Sequence, residues 1–273
     1  IGEDPTLPQN LALVTIFGLR DEIRQEAKVA VQEAQAAGIR VVMITGDAKN
    51  TARAIAKEMG IIQGGNPVVT TSAELEEMSD AQVRDMLPNL CVVARALPTD
   101  KSRLVKAAKE RNWVVGMTGD GVNDAPAVKN ADVGFAMGSG TEMTKESSDI
   151  VILDDNFSSL TRAVLYGRTL LKSIRKFLIF QLSVNVAAIM VAFFGPFFGV
   201  DLPLTMTQML WINLVMHTLA AIAFAGEAAL SRYMKEPPIP KNAPLITPDM
   251  WSAIFTNGIA MAIMSLFFLT SDG

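Results

Sequence analysis

The spacing of apolar and polar positions changes along this chain, and the changes divide it. Leu11 to Phe17 is rich in apolar and β-branched residues and predicts a strand. From Asp21 to Ala37 the residues Ile23, Ala27, Ala30, Val31 and Ala34 fall at helical spacing, and Gly38 closes that helix. Val41 to Ile44 predicts the next strand, which ends in Thr45-Gly46-Asp47. A helix follows through Met59, with Asn50 or Thr51 able to cap it and Gly60 stopping it. Leu90 to Ala94 and Lys101 to Arg111 form a third strand and helix, joined by Leu97-Pro98-Thr99-Asp100. Further apolar runs stand at Val114 to Met117, Val133 to Ala136 and Ile150 to Leu153, while Ile61 to Pro88 reads only as a connector with one or two helices. Strands alternating with helices at this spacing predict an α/β fold, a parallel sheet with helices on both faces.

From Ser158 the period becomes helical and stays so through Tyr166, Ile174 and Phe180 until Gly195-Pro196. That run of about 40 residues spans on the order of 60 Å at the helical rise. Its first half carries Arg162, Arg168, Lys172, Arg175 and Lys176, whereas Phe177 to Phe194 has no charge. Such a helix starts in water and ends in lipid. A turn over Gly195 to Pro203 leads to a second apolar helix, residues 205–225. A polar, Pro-rich loop with Arg232, Lys235 and Lys241 precedes a third, residues 250–270. Each matches the roughly 20 residues a bilayer requires. The domains expected are a soluble one over residues 1–157, a stalk over 158–176, and a transmembrane region over 177–273 with spans at 177–199, 205–225 and 250–270. Basic residues flank the outer ends of the first two spans and their connecting turn has only Asp201, so the soluble domain is expected to be cytoplasmic.

Composition agrees with a part-soluble, part-membrane chain: 273 residues, half of them hydrophobic, with mean hydropathy +0.30. A net charge of −4 without basic tracts makes nucleic acid an unexpected partner. The single cysteine, Cys91, sits in an apolar run and has no internal partner, which fits a reducing compartment for the soluble part. The first residue is Ile1 and no signal peptide precedes the soluble region, so an internal piece of a longer protein is expected.

Chemistry concentrates at Met117-Thr118-Gly119-Asp120-Gly121-Val122-Asn123-Asp124-Ala125-Pro126. The run leaves a predicted strand and opens a helix, so its polar groups gather at a strand's carboxyl end. Asp120 and Asp124 bring hard oxygen donors and Asn123 a neutral one, while the glycines allow the backbone to approach a ligand. A lone Asp-Gly pair would be read as a turn, and Lys101 alone as an exposed helix-start lysine. In parallel sheets, however, ligands bind at the strands' carboxyl ends, and Thr45-Gly46-Asp47, Lys101 and Asp120 to Asp124 are all expected there. A hydroxyl, backbone amides and an ammonium can hold phosphoryl oxygens, while carboxylates hold the metal that screens them.

Thr45-Gly46-Asp47, Pro98-Thr99-Asp100-Lys101 and Thr118 to Pro126, in that order and before a long stalk helix, resemble the P-type cation-transporting ATPases. Gly134-Phe135-Ala136-Met137-Gly138, Asp154-Asp155-Asn156-Phe157 and Gln208 to Met216 are similar to the plasma-membrane and bacterial members of the calcium-pump branch. The resemblance implies a haloacid-dehalogenase-like phosphorylation domain and, in the whole protein, ATP-driven transport of a cation, Ca2+ first, with ATP and Mg2+ as cofactors. It implies that Asp120 binds Mg2+ with Asn123 and Asp124 supporting the phosphoryl site. Thr45, Gly46 and Asp47 would contact phosphate and nucleotide, and Lys101 would stabilise the transferring phosphoryl group.

Several features depart from the family pattern. The Asp-Lys-Thr-Gly-Thr motif with the phosphorylated aspartate and the Thr-Gly-Glu loop are absent, as is most of a nucleotide domain, so the missing N-terminal part of the same protein is an expected partner and this chain alone is expected to be inactive. Asp21 to Arg24 stands where the family has an Asp-Pro-Pro-Arg hinge, with Glu22 and Ile23 in place of the prolines. Asn185 and Asn213 match asparagines that help bind the transported ion. His217 aligns with a key aspartate, and Ala188 stands where two-site calcium pumps have a glutamate. Ca2+ takes oxygen ligands and imidazole suits softer ions, so pumping of Mn2+, Zn2+ or Ni2+ is the alternative. His217 reads equally as a packing residue hydrogen-bonded to a neighbour. A soluble phosphatase of the same fold and a non-transporting membrane scaffold are the remaining readings.

Overall fold

The computed structural model describes residues 14–15 and 22–271. The expected strand from Leu11 to Phe17 lies, except for Val14 and Thr15, outside the described residues, as does Asp21 of the hinge position. Helix α1 runs over Gln25–Ala36 and buries Ala30, Val31 and Ala34. Strand β1 is Met43–Ile44 and helix α2 is Lys49–Glu58. Ala48 stands at the N-cap of α2 with no side-chain hydrogen bond, so neither Asn50 nor Thr51 caps that helix.

The stretch read as a connector contains a strand. β2, Val68–Thr71, is followed by α3, Ser72–Glu76, and α4, Asp80–Met86. Four residues beginning just after Pro67 and ending in two threonines give too short an alternation to announce a strand. The helices are announced, because Thr71 with Glu74 and Ser79 with Gln82 form capping boxes.

β3, Leu90–Ala94, is buried at every position, and α5, Pro98–Glu110, begins three residues before the expected Lys101, with proline at a first-turn position it tolerates. β4 is Gly116–Gly119, two residues beyond the expected run from Val114. The Val115 amide donates to Asp132 Oδ2 (2.9 Å) instead of joining a ladder, and this delays the strand. α6, Ala125–Asn130, β5, Val133–Met137, α7, Glu142–Ser147, and β6, Ile150–Ile152, complete the α/β part.

Among the described residues all pairings are parallel, and the strands form two three-stranded sheets ordered β1-β3-β2 and β4-β5-β6. The expected parallel arrangement with helices is present, and among the described residues it comprises two sheets with β1 and β4 both at edges. Helices cover both faces of the first sheet. Val93 packs with Leu75, Val83 and Leu104 on one side, while Val92 and Ala94 pack with Val31, Ala52 and Ala56 on the other. Burial pushes the Cys91 thiol up, which makes it a poor nucleophile. α5 and α6 join the sheets, with Val105 packed on Met117, Ala127 and Val128.

α8 is one helix from Phe157 to Phe194, capped by Asn156, whose Oδ1 accepts from the Ser158 amide (2.9 Å). α9, Met206–Trp211, and α10, His217–Ala225, are joined by a π-helical turn, Ile212–Met216, and α11 is Pro248–Ser271. Among the described residues three helical segments are long and apolar enough to cross a membrane: Phe157–Phe198, Met206–Ala225 and Pro248–Ser271. α8 and α11 pack through Ala187, Val191 and Ala262, small or branched side chains that let helices approach closely.

Candidate functional site

The polar groups at the ends of β1, β3 and β4 are joined by named bonds. Thr45 Oγ1 donates to Asp47 Oδ2 (2.9 Å) and accepts from the Asp47 amide (3.1 Å), closing a tight turn. The amides of Arg95 and Ala96 donate to the carbonyls of Asp47 and Thr45, both at 3.0 Å, so this turn is fixed to the end of β3. Arg95 has φ 51°, a left-handed conformation that a non-glycine residue adopts under local constraint. Asp100 is buried, and its Oδ2 accepts from the Leu97 amide (2.8 Å), which sets the start of α5.

Lys101, on the first turn of α5, then reaches across to the other sheet. Its Nζ lies 2.5 Å from Asp124 Oδ1, with side-chain exposures of 21% for Lys101 and 9% for Asp124. At this burial the pair holds because each charge has the other; removing one would strand its partner. Asp124 comes this close to the end of β4 because Gly119 has no side chain. A Cβ there would stand 2.6 Å from the Asp124 Cβ and 2.9 Å from Val128 Cγ2.

Asp120 and Asn123 are exposed, and the Asp120 carboxylate makes no hydrogen bond or ion pair among the described residues. The Asp120 backbone, in contrast, is held: its carbonyl accepts from the Thr141 amide (2.9 Å). Thr144, fully buried, donates from Oγ1 to the Gly121 carbonyl (2.8 Å) and shares a 2.8 Å hydrogen bond with Thr141 Oγ1. The loop bearing Thr141 is anchored in turn by Asp155, whose Oδ1 accepts from the Ser139 amide (3.1 Å). Bonds from Ser139 hold the Asp155 carboxyl below the usual range. Thr141 and Thr144 escape a reading that looks for charged ligands, whereas Asp100 enters it only inside the Pro98-Thr99-Asp100-Lys101 motif, without its helix-capping role. The signal for the first two was the small polar run Gly138-Ser139-Gly140-Thr141, a turn at the end of an apolar strand.

The site thus offers a free carboxylate, a neutralised ammonium–carboxylate pair, and a hydroxyl-and-amide turn. No hydrogen bond directly joins Thr45 or Asp47 to Asp120 or Lys101 among the described residues. The donors of Asp120 are hard oxygens in an open position, the chemistry of Mg2+, which keeps several waters and takes one or two carboxylates.

The helical region carries its polar groups separately. Asn185 on α8 is half-buried, Asn213 in the π-helical turn is exposed, and His217 is 7% exposed. His217 Nε2 is buried without a hydrogen-bond partner among the described residues, so the hydrogen-bonded packing role is not seen there. Between the α/β part and the long apolar helices, Arg168 of α8 donates to the carbonyls of Tyr233 (2.8 Å), Glu236 (2.9 Å) and Ala37 (2.6 Å). The end of α1 fits the 226–247 loop because Gly38 has φ 76° and a Cβ there would stand 2.6 Å from Pro238 Cδ.

Comparison with known proteins gives two family matches. Residues 2–132 match the haloacid dehalogenase-like hydrolases, and residues 201–272 match the family described as cation transporting ATPase, C-terminus. Calcium-transporting ATPase 7, plasma membrane-type, of Oryza sativa subsp. japonica is 47% identical over 248 residues, 89% of this chain and 24% of that protein. Calcium-transporting ATPase 5, plasma membrane-type, of the same plant is 44% identical over 97% of this chain and 24% of that protein. Plasma membrane calcium-transporting ATPase 2 of Oreochromis mossambicus is 42% identical over 96% of this chain and 25% of that protein. The chain therefore spans about a quarter of the length of these relatives.

Proposed function

The chain belongs to the P-type cation-transporting ATPases, on the plasma-membrane calcium-transporting side of the family, and from that premise we propose that it is the segment of an ATP-driven divalent-cation pump that joins the phosphorylation site to the ion path. The relatives are named for calcium transport, which makes Ca2+ the first cargo to consider. The observation that carries this reading is the Lys101–Asp124 pair linking the two sheets beside the free carboxylate of Asp120. Mg2+ held by Asp120 would supply a Lewis-acid charge that screens phosphoryl oxygens.

The chain's own residues divide the remaining work. Lys101, fixed by Asp124, presents a cation whose charge is balanced at rest and available to a dianionic phosphoryl group. Asn123 stands exposed on the same turn as a neutral donor, and the Thr45-Gly46-Asp47 turn offers the Gly46 amide and the Thr45 hydroxyl for phosphate or nucleotide, the Thr45 and Asp47 amides being engaged within the fold. The edges of β1 and β4 have no partner among the described residues. A strand paired to either edge would bring a nucleophilic side chain to the same polar end, and the rest of the longer protein would provide it.

Movement there reaches the spans through α8, which is continuous from Phe157 beside the phosphorylation domain to Phe194 in the apolar region. In this arrangement the soluble part and the 226–247 loop face the cytoplasm. The test is labelling of the full-length protein from ATP in Mg2+: an acid-stable, hydroxylamine-labile label is expected of an aspartyl phosphate. Absence of label, or a hydroxylamine-resistant one, rejects the pump.

A further inference from the structure

We propose that Asp155 is a positioning residue of the phosphoryl-transfer site: its carboxylate fastens the turn that carries Asp120 to the head of α8, so that the metal-binding turn and the stalk helix move as one body. This rests on the pump reading and names the joint through which that reading requires movement to pass.

The backbone brings three segments into direct contact. On one side the loop after β5 lies against the turn after β6. The Gly138 amide donates to the Ile152 carbonyl (2.7 Å), and a Cβ at Gly138 would stand 2.7 Å from the Leu153 carbonyl oxygen. On the other side the same loop lies against Asp120. The Thr141 amide donates to the Asp120 carbonyl (2.9 Å), and a Cβ at Gly140 would stand 3.1 Å from that carbonyl oxygen. Glycine at both positions lets main chain touch main chain, so the loop is a spacer with little room to give. Ser139 stands between the two glycines, and its amide donates to Asp155 Oδ1 (3.1 Å).

Asp155 is itself built into the head of α8. It directly precedes the N-cap Asn156, and the residues on either side of it are fastened. Ser159 Oγ donates to Asp154 Oδ2 (2.7 Å), while Asn156 accepts from the Ser158 amide and donates through Nδ2 to Glu26 Oε2 of α1 (2.7 Å). Asp155 has φ 50°, a left-handed conformation that Asp and Asn adopt more readily than other side chains and that persists where the surroundings impose it. The bonds from Ser139, and more weakly the charge of Arg24 at the hinge position, hold its carboxyl below the usual range. At neutral pH the bond to the loop is therefore charge-assisted.

The Asp120 side chain is exposed, so its placement follows its backbone. That backbone is held by Thr141, and the loop bearing Thr141 is held through Ser139 by Asp155. A displacement of Asp120 on taking up Mg2+ and a phosphoryl group is thereby passed to the head of a helix that continues unbroken to Phe194. Groups that orient a metal ligand from behind also alter metal affinity.

The experiment compares the full-length wild type with two variants. Asp155→Gly keeps the left-handed backbone and removes the acceptor, and Asp155→Asn keeps both. One readout is the Mg2+ concentration that half-saturates phosphoenzyme formation from labelled ATP. The other is amide hydrogen exchange of residues 118–124 and 156–163 before and after Mg2+ and ATP are added, which reports local opening. In the wild type both segments should gain protection together. In Asp155→Gly the Mg2+ requirement should rise several-fold and residues 156–163 should stop responding, whereas Asp155→Asn should match the wild type on both counts. Thermal unfolding shows that each variant is folded. An Asp155→Gly protein in which either readout is unchanged, whatever its stability, overturns the proposal, as does a wild type whose residues 156–163 do not respond. Asp155→Asn behaving like Asp155→Gly would place the effect in the charge and overturn the hydrogen bond as its origin. These outcomes leave the pump reading intact. Failure of the wild type to form an acid-stable, hydroxylamine-labile label removes that reading and this proposal with it.

Discussion

Lys241 Nζ donates to Asp132 Oδ1 over 2.6 Å, joining the loop between the second and third spans to the residue that precedes β5. Burial opposes ionisation of Asp132, but Lys241, the Val115 amide and Lys109 together outweigh it and hold its carboxyl below the usual range. A depressed carboxylate contributes stability that is present above its unfolded value and lost as pH falls through the folded one. Lys241→Met should therefore cost about 1 kcal/mol at pH 7 for this partly exposed pair. The deficit should close as pH falls below about 4. Denaturant unfolding across a pH series checks it, and a deficit that persists unchanged in acid would show that the charge pair is not its source.

Lys101 and Asp124 make the opposite case, a pair with little solvent around it. Lys101→Met leaves a buried carboxylate without its cation and should destabilise by about 3 kcal/mol. Adding Asp124→Asn should return much of that loss, because no buried charge then remains unpaired. Thermal unfolding of the two variants decides this. A double variant no more stable than Lys101→Met would mean that Asp124 is satisfied by other groups.

Asp120 separates function from stability. Its carboxylate is exposed and bonded to nothing among the described residues, so Asp120→Ala should change stability by no more than about 0.5 kcal/mol. In the full-length protein the same substitution should abolish Mg2+-dependent phosphoenzyme formation. Undiminished labelling at saturating Mg2+ would remove Asp120 from the metal site.

The sequence made these elements legible to different degrees, for physical reasons. β3 could be read to the residue because a strand buried on both faces is a continuous apolar run, and α8 because nothing breaks its period before Gly195. β2 was hidden because it is only four residues long, although all four are β-branched, and the start of β4 was displaced by a side chain, Asp132, that lies distant in sequence. Asp120 and Lys101 announce themselves by charge at the ends of apolar runs. The Lys101–Asp124 contact, the Arg168 clamp on three carbonyls and the division into two sheets depend on tertiary geometry, which no local pattern encodes.

Thr144 tests whether a residue that touches no ligand sets the geometry of Asp120. Its buried hydroxyl donates to the Gly121 carbonyl and bonds with Thr141 Oγ1, both at 2.8 Å, and Thr141 in turn donates its amide to the Asp120 carbonyl. Thr144→Val keeps the shape and removes one of the two donors to the Gly121 carbonyl, which still accepts from the Asp124 amide (2.9 Å), so the loss should be about 1 kcal/mol. The Asp120–Gly121 turn is then free to shift, so the half-saturating Mg2+ concentration for phosphoenzyme formation should rise several-fold, whereas Thr144→Ser should stay near wild type. Measuring stability and Mg2+ dependence together separates the roles. A Val variant that loses stability but keeps its Mg2+ requirement would reduce Thr144 to a packing residue, and one that shifts both, with rescue by Ser, would establish that the hydroxyl holds the turn on which Asp120 stands.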